Sequence, residues 1–176
     1  GASVVVASRT VAELEAAAER ITQDRDKPCL EITTDVKVEE QCIALVERTM
    51  AEFGQIDILG NNAGGTRMGP LENIPTKGWD SIFDLNLKSA YVLTREAGKH
   101  MRAQKRGAIV NISSGAGISG VAGGAHYSAA KSGLQMFTKV TAAEWGRFGI
   151  RANCVAAGAI ASERVSEAWK VAGLDE

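Results

Sequence analysis

Short β-branched runs alternate along this chain with longer segments whose apolar residues recur every three or four positions. Ser3 to Ala7 (SVVVA) is a near-continuous apolar run, the pattern of a strand buried on both faces. Thr10 stands where it would cap a helix, with Glu13 three residues on to complete a capping box. That helix, Val11 to about Ile21, sets Leu14, Ala17, Ala18 and Ile21 on one face. Cys29 to Thr33 predicts a second strand, and Ile43, Val46 and Met50 mark a helix over about Glu39 to Phe53. Ile56 to Leu59 and Ala108 to Ile112 read as the third and fourth strands. Between them lie a loop from Asn61 to Pro75 and a helix across roughly Trp79 to Ala103. A last helix over about Tyr127 to Trp145 leads to a fifth strand at Ile150 to Val155. Such alternation implies an α/β fold: a doubly wound parallel sheet with right-handed crossovers and helices on both faces. No linker, repeat or low-complexity tract divides it, so a single domain is expected.

Composition narrows the picture. The 176 residues suffice for one hydrophobic core, and 45% apolar with 23% charged residues is ordinary for a globular domain. A net charge of −1 gives no reason to expect a nucleic acid or an anionic membrane as partner. No apolar run approaches the roughly 20 residues of a membrane-spanning helix. The first residues lack the zones of a signal peptide, which makes the cytoplasm the expected location. Cys29, Cys42 and Cys154 are odd in number and far apart, the usage of small hydrophobes in a reducing compartment. With only His100 and His126 beside them, no metal site is expected.

Gly115-Ala116-Gly117-Ile118-Ser119-Gly120 satisfies G-x-G-x-x-G after a strand. A dinucleotide turn needs a helix to open at those glycines, so that its free N–H groups meet the pyrophosphate. Here glycines continue through Gly123 and Gly124 before the next predicted helix, and no acidic residue follows about 20 positions on. The motif is therefore expected to be a decoy whose glycines let backbone pass close beside a ligand.

Tyr127 and Lys131 stand four apart in a helical segment (YSAAK), on one face. A phenol is a poor base at neutral pH, and a nearby ammonium favours its phenolate. Such a pair alone is common and is usually a surface tyrosine beside a solvated lysine. Its context is more specific. Ile109 to Ser114 (IVNISS) runs a buried strand into two hydroxyls at its carboxyl end, where open parallel sheets bind ligands. Asn61-Asn62-Ala63-Gly64 reaches the same edge from the preceding strand.

These segments together resemble the ordered motifs of short-chain dehydrogenases/reductases: NNAG (Asn61 to Gly64), FDLNLKSAY (Phe83 to Tyr91), GAIVNISSGAG (Gly107 to Gly117), YSAAK and GIRANCVAAG (Gly149 to Gly158). Asn86 lies 28 residues before Ser114, and Ser114 lies 13 before Tyr127, as in that family. The resemblance implies a Rossmann-type fold and an NAD(P)-dependent oxidoreductase acting on a carbonyl or secondary alcohol. It makes residues 1–176 a portion of one dinucleotide-binding catalytic domain. Tyr127 would be the general acid/base, Lys131 its activator and the holder of the nicotinamide ribose, and Ser114 the partner of the reacting oxygen. Asn86 would interrupt its helix to seat a water leading to Lys131. Asp35 and Val36 would meet the adenine, Asn62, Ala63 and Gly64 the adenosine, and Ile160 the carboxamide. Ser162 stands where the family usually has threonine. Ser8-Arg9 ends the first strand, where the family selects its cofactor; arginine there can pair with a 2′-phosphate, which favours NADP(H) over NAD(H).

Departures from the family pattern are also visible. The glycine-rich phosphate turn and the strand before it should precede Gly1-Ala2, and the family's last helix and strand should follow Glu176. An interior portion of a longer protein, poor at binding cofactor alone, is expected. Ala157 replaces a proline before Gly158, and Gly60 a β-branched residue before Asn61. Two rival readings stand beside the oxidoreductase. One is a non-catalytic or truncated nucleotide-binding module on the same fold. The other is a hydrolase using Ser114, His126 and Asp84, which lacks the G-x-S-x-G elbow. The helices Lys88–Ala103 and Tyr127–Trp145 suggest a homodimer or homotetramer, since family members pair them across subunits. Substrate choice would rest on Ser162 to Trp169 and beyond; the stretch AAEWGRFGIRANCV resembles members that reduce 3-oxoacyl thioesters.

Overall fold

A computed structural model of the chain describes residues 1–23, 27, 29–158 and 160. Five parallel strands form two separate ladders. β1 (Val4–Ser8) pairs with β2 (Cys29–Thr33), Val4 opposite Cys29 and Ser8 opposite Thr33. β3 (Ile58–Asn61), β4 (Gly107–Ser114) and β5 (Ile150–Ala157) form the other ladder, with β4 central. The helices are α1 (Val11–Thr22), α2 (Glu39–Phe53), α3 (Thr76–Phe83), α4 (Ser89–Gln104), α5 (Ala116–Ser119) and α6 (Ala125–Trp145). The expected doubly wound class is the one observed.

Several local expectations are corrected. The third strand starts two residues late, because Ile56 packs in the core and the Gln104 side chain takes both its N–H and its C=O. The helix expected across Trp79 to Ala103 is interrupted around Asn86, as the family resemblance implied, by a π turn at Asp84–Lys88. Thr10 makes no capping bond; Ser8, at the strand end, donates its hydroxyl to Glu13 at 2.8 Å instead. β1 is half-buried rather than enclosed on both faces. Its edge away from β2 carries no strand among the described residues, and neither does the outer edge of β3. Between these two edges lies a slot of about 640 Å³, with Val5 to Arg9 on one wall and Ile58 to Gly64 on the other.

The core sits beside the three-stranded ladder. Cys42 and Val46 of α2, Val92, Leu93, Ala97 and Met101 of α4, and Ile109 and Ile150 of the sheet form one buried cluster. Arg95 bridges Glu39 of α2 to Glu96 of α4 and fixes those helices together. A polar chain threads the same layer: the Asn61 amide donates to Thr94 and to Asn111, and the Asn111 amide donates to Thr138 at 2.8 Å. The chain ties β3 and β4 to α4 and α6, with the Asn61 oxygen left as its one unbonded buried atom. Cys42 is a buried free thiol, and burial pushes its pKa up to about 11, with help from Asp35 and Glu39. No helix among the described residues is long and apolar enough to cross a membrane.

Candidate active site

Three chain segments meet at the carboxyl ends of β3 and β4. β4 delivers Ser114, whose hydroxyl oxygen accepts the Ala116 N–H at 3.2 Å and so starts the tight turn into α5. α6 begins two residues before the predicted start and presents Tyr127 and Lys131 from its first two turns. The Lys131 Nζ lies 5.7 Å from the centre of the Tyr127 ring and donates to the Ile112 carbonyl at 2.7 Å. Lys131 is 3% exposed, and burial lowers its pKa, an effect that the neighbouring Cys154 thiol partly opposes. Tyr127 is only half-buried, so the phenol remains within reach of a ligand.

The π turn supplies Asn86, which is 1% exposed. Its amide N–H₂ donates to the Ile82 carbonyl at 2.9 Å and to the Gly65 carbonyl at 2.8 Å, while its oxygen accepts the Gly65 N–H. The asparagine therefore pins the loop that leaves β3. A methyl group at Gly64 would stand 2.8 Å from Asn86 Oδ1 and 3.0 Å from Lys131 Nζ. Lysine and asparagine thus converge on one glycine, and only a residue without a side chain fits there.

The hydrolase arrangement is not formed. His126 is buried in the first turn of α6 and stacks against Trp79, with its Nδ1 lacking any hydrogen bond. No hydrogen bond joins it to Ser114 or Asp84 among the described residues, and Asp84 faces Lys88 at 4.0 Å. The glycine-rich segment also differs from expectation. The single turn α5 opens immediately after Gly115, ahead of Gly123 and Gly124. Gly117 lies against α6 rather than beside a ligand: a methyl there would meet Gln135 Nε2 at 2.7 Å and the Lys131 carbonyl carbon at 2.8 Å.

Of the residues expected to hold a dinucleotide, Ser8, Arg9, Asp35, Val36, Asn62, Ala63 and Gly64 all line the slot. Lys131 meets its Gly64 end, and Tyr127 stands beside Lys131, 5.7 Å from Nζ to ring centre. Ile160 is exposed, and Ser162 lies outside the described residues. The Arg9 guanidinium is exposed and has no acidic partner among the described residues. Sequence reasoning missed Gly65 as the partner of Asn86; the only available signal was a second glycine after NNAG.

The short chain dehydrogenase family model matches residues 1–172. A 3-oxoacyl-[acyl-carrier-protein] reductase of Synechocystis is 43% identical over 119 residues, which cover 68% of this chain and 48% of that protein. The (2S)-[(R)-hydroxy(phenyl)methyl]succinyl-CoA dehydrogenase subunit BbsD of Thauera aromatica is 38% identical, covering 91% of this chain and 64% of the relative. The chain therefore spans about half to two thirds of the length of these relatives. Among solved structures, an NAD⁺-bound xylitol dehydrogenase superposes with a TM-score of 0.90 at 25% identity, over 96% of this chain and 65% of that one. A Streptomyces avermitilis short-chain dehydrogenase gives 0.84 at 30%, over 92% and 58%. With a tyrosine and a lysine on one helix, a serine at the end of β4 and a family match across nearly its whole length, this chain belongs to the short-chain dehydrogenase family.

Proposed function

We propose that these residues form a portion of one dinucleotide-binding catalytic domain, in an oxidoreductase that moves hydride between NADP(H) and a carbonyl or secondary alcohol. The observation that carries this reading is the convergence of Lys131 Nζ and Asn86 Oδ1 on Gly64, beside an accessible tyrosine. The cofactor suits the end of the slot at the strands' carboxyl ends, where Ser8 and Arg9 close β1, Asp35 and Val36 follow β2, and Asn62 to Gly64 follow β3. The bare backbone at Gly64 suits the close approach of a flat ring. When bound, the reduced nicotinamide supplies the hydride.

The protein's share of the work is proton management and orientation. Tyr127 donates its phenolic proton to the carbonyl oxygen, and in the reverse direction its phenolate takes the proton of the alcohol. The Lys131 ammonium, 5.7 Å from the ring centre, places its charge beside the phenol and would hold the ribose hydroxyls. Ser114 donates to the same oxygen and stabilises charge building there. Asn86 holds the Gly64–Gly65 turn in place, with its oxygen facing the lysine.

Cofactor choice rests on Arg9. The xylitol dehydrogenase was solved with NAD⁺, so family membership does not select between the two dinucleotides. A guanidinium without an acidic partner at the strand end favours the 2′-phosphate of NADP(H). The rest of the slot, between the open edges of β1 and β3, suits one further parallel strand. We assign it to a segment outside these residues that also brings the phosphate turn. Exposed Tyr91, Met136 and Val140 on α4 and α6 suit pairing with a second copy, as a dimer or tetramer, and the proposed location is the cytoplasm.

The test is NADPH oxidation by the full-length protein with a panel of ketones and 3-oxoacyl thioesters. Tyr127→Phe should lower turnover by at least about 100-fold. If the variant keeps most of its rate, the acid/base assignment fails. Cofactor binding without turnover on any substrate would instead support a nucleotide-binding module.

A further inference from the structure

One side chain on the working face of α6 is left without a role by the roles assigned above. Gln135 follows Lys131 by four residues and Tyr127 by eight, so the three form a stripe down one side of the helix. Its amide points at the end of β4, where Nε2 donates to the Ser113 hydroxyl at 3.0 Å and to the Ser114 carbonyl at 3.3 Å. Ser113 in turn donates its hydroxyl to the Lys131 carbonyl at 2.9 Å. The result is a closed loop of contacts in which Gln135 and Lys131, one turn apart, grip adjacent residues of the strand. Gly117 leaves the room for it, because a methyl there would sit 2.7 Å from the same Nε2.

The geometry points to Gln135 as a positioning residue that sets the distance between the Ser114 hydroxyl and the Tyr127–Lys131 pair. The physical need is specific. Ser114 and Tyr127 come from different elements, yet both must reach one oxygen, and a misplacement of about 1 Å can cost about 100-fold in rate. Ser114 is the last residue of β4, paired with Ala157 of β5, and that ladder holds it within the sheet without setting its distance from α6. Gln135 supplies the missing constraint from the helix side. Its two acceptors are the Ser114 carbonyl and the Ser113 oxygen, and an apolar residue of the same length would leave both without that donor.

This inference rests on the proposed oxidoreductase reading. The experiment is a double-mutant cycle in the full-length enzyme, with Gln135→Met, Ser114→Ala and the pair. Gln135→Met should lower kcat by about 10-fold with KM for NADPH unchanged, since the amide acts on the reacting oxygen's partner and not on the cofactor. In the Ser114→Ala background the same change should cost less than about twofold, because the group it positions is already gone. Full additivity, or an unchanged kcat in Gln135→Met, overturns the inference while leaving the reading of the site intact. A wild-type enzyme with no carbonyl-dependent turnover overturns both. A Gln135→Met variant that loses cofactor affinity in proportion to rate marks a general structural role and also overturns it.

Discussion

Among the described residues the two ladders differ in how fully they are packed. Around β4 every layer is filled: Ile109 is fully buried, the Asn61–Asn111 amides are bonded across the sheet, and Lys131 is sealed beneath Tyr127. Around β1 the strand is half-buried, its outer edge is open, and the buried apolar side chains of α1 and β2 are Leu14, Ala18 and Ile32. The proposed proton-handling residues all sit on the tight ladder or the helices packed on it, while Ser8 and Arg9 sit on the open one. That contrast holds for the described residues; the further strand proposed for the slot would cover the outer edge of β1.

The sharpest way to test this contrast is Lys131→Met. It should lower turnover by about a thousandfold, since the phenol loses its ammonium. The same change should raise the thermal midpoint, because it removes a charge that burial disfavours. The sign with pH follows from the lowered pKa. The folded chain releases the lysine proton below the ordinary value of 10.5, so stability grows as pH rises through the window between the two values. That rise should flatten in the methionine variant when denaturation is followed from neutral to alkaline pH.

Next in size is a paired truncation. Ile109→Ala should cost about 4 kcal/mol in denaturant unfolding, and Val5→Ala only about 1 kcal/mol. Equal costs would mean that the open ladder is as well packed as the other. Amide exchange should agree, with β1 protons lost well before those of β4. The smallest expected effect is at Arg9: Arg9→Ser should weaken NADPH relative to NADH by about 10-fold in the full-length enzyme. An unchanged ratio would remove the argument for NADP(H).

The parts that were legible in the sequence are those governed by period. Apolar runs and three-to-four spacing located all five strands and the long helices within a few residues, because buried faces repeat with the geometry of the element. Burial of β1 was misjudged because three valines report a strand's preference and not whether a neighbour lies on its far side. Ser8 and Thr10 both offer a hydroxyl to Glu13, and only the turn between β1 and α1 decides which one reaches it. The interruption at Asn86 was legible only through the family resemblance, because the apolar residues Ile82 and Leu85 keep helical spacing into it. The grip of Gln135 on Ser113 and Ser114 had no signal at all, because it depends on how α6 lies across the end of β4.

The widened turn at Asp84–Lys88 carries one more consequence. Helices drift toward regularity, and removing a single residue there would yield an unbroken rod from Thr76 onward with every carbonyl bonded in the ordinary way. Such a deletion would be locally comfortable and functionally ruinous, for Asn86 would rotate by about 100° and release Gly65. The irregularity is thus something that screening for robustness alone would erase, and its persistence in an engineered descendant would be a record of selection for chemistry.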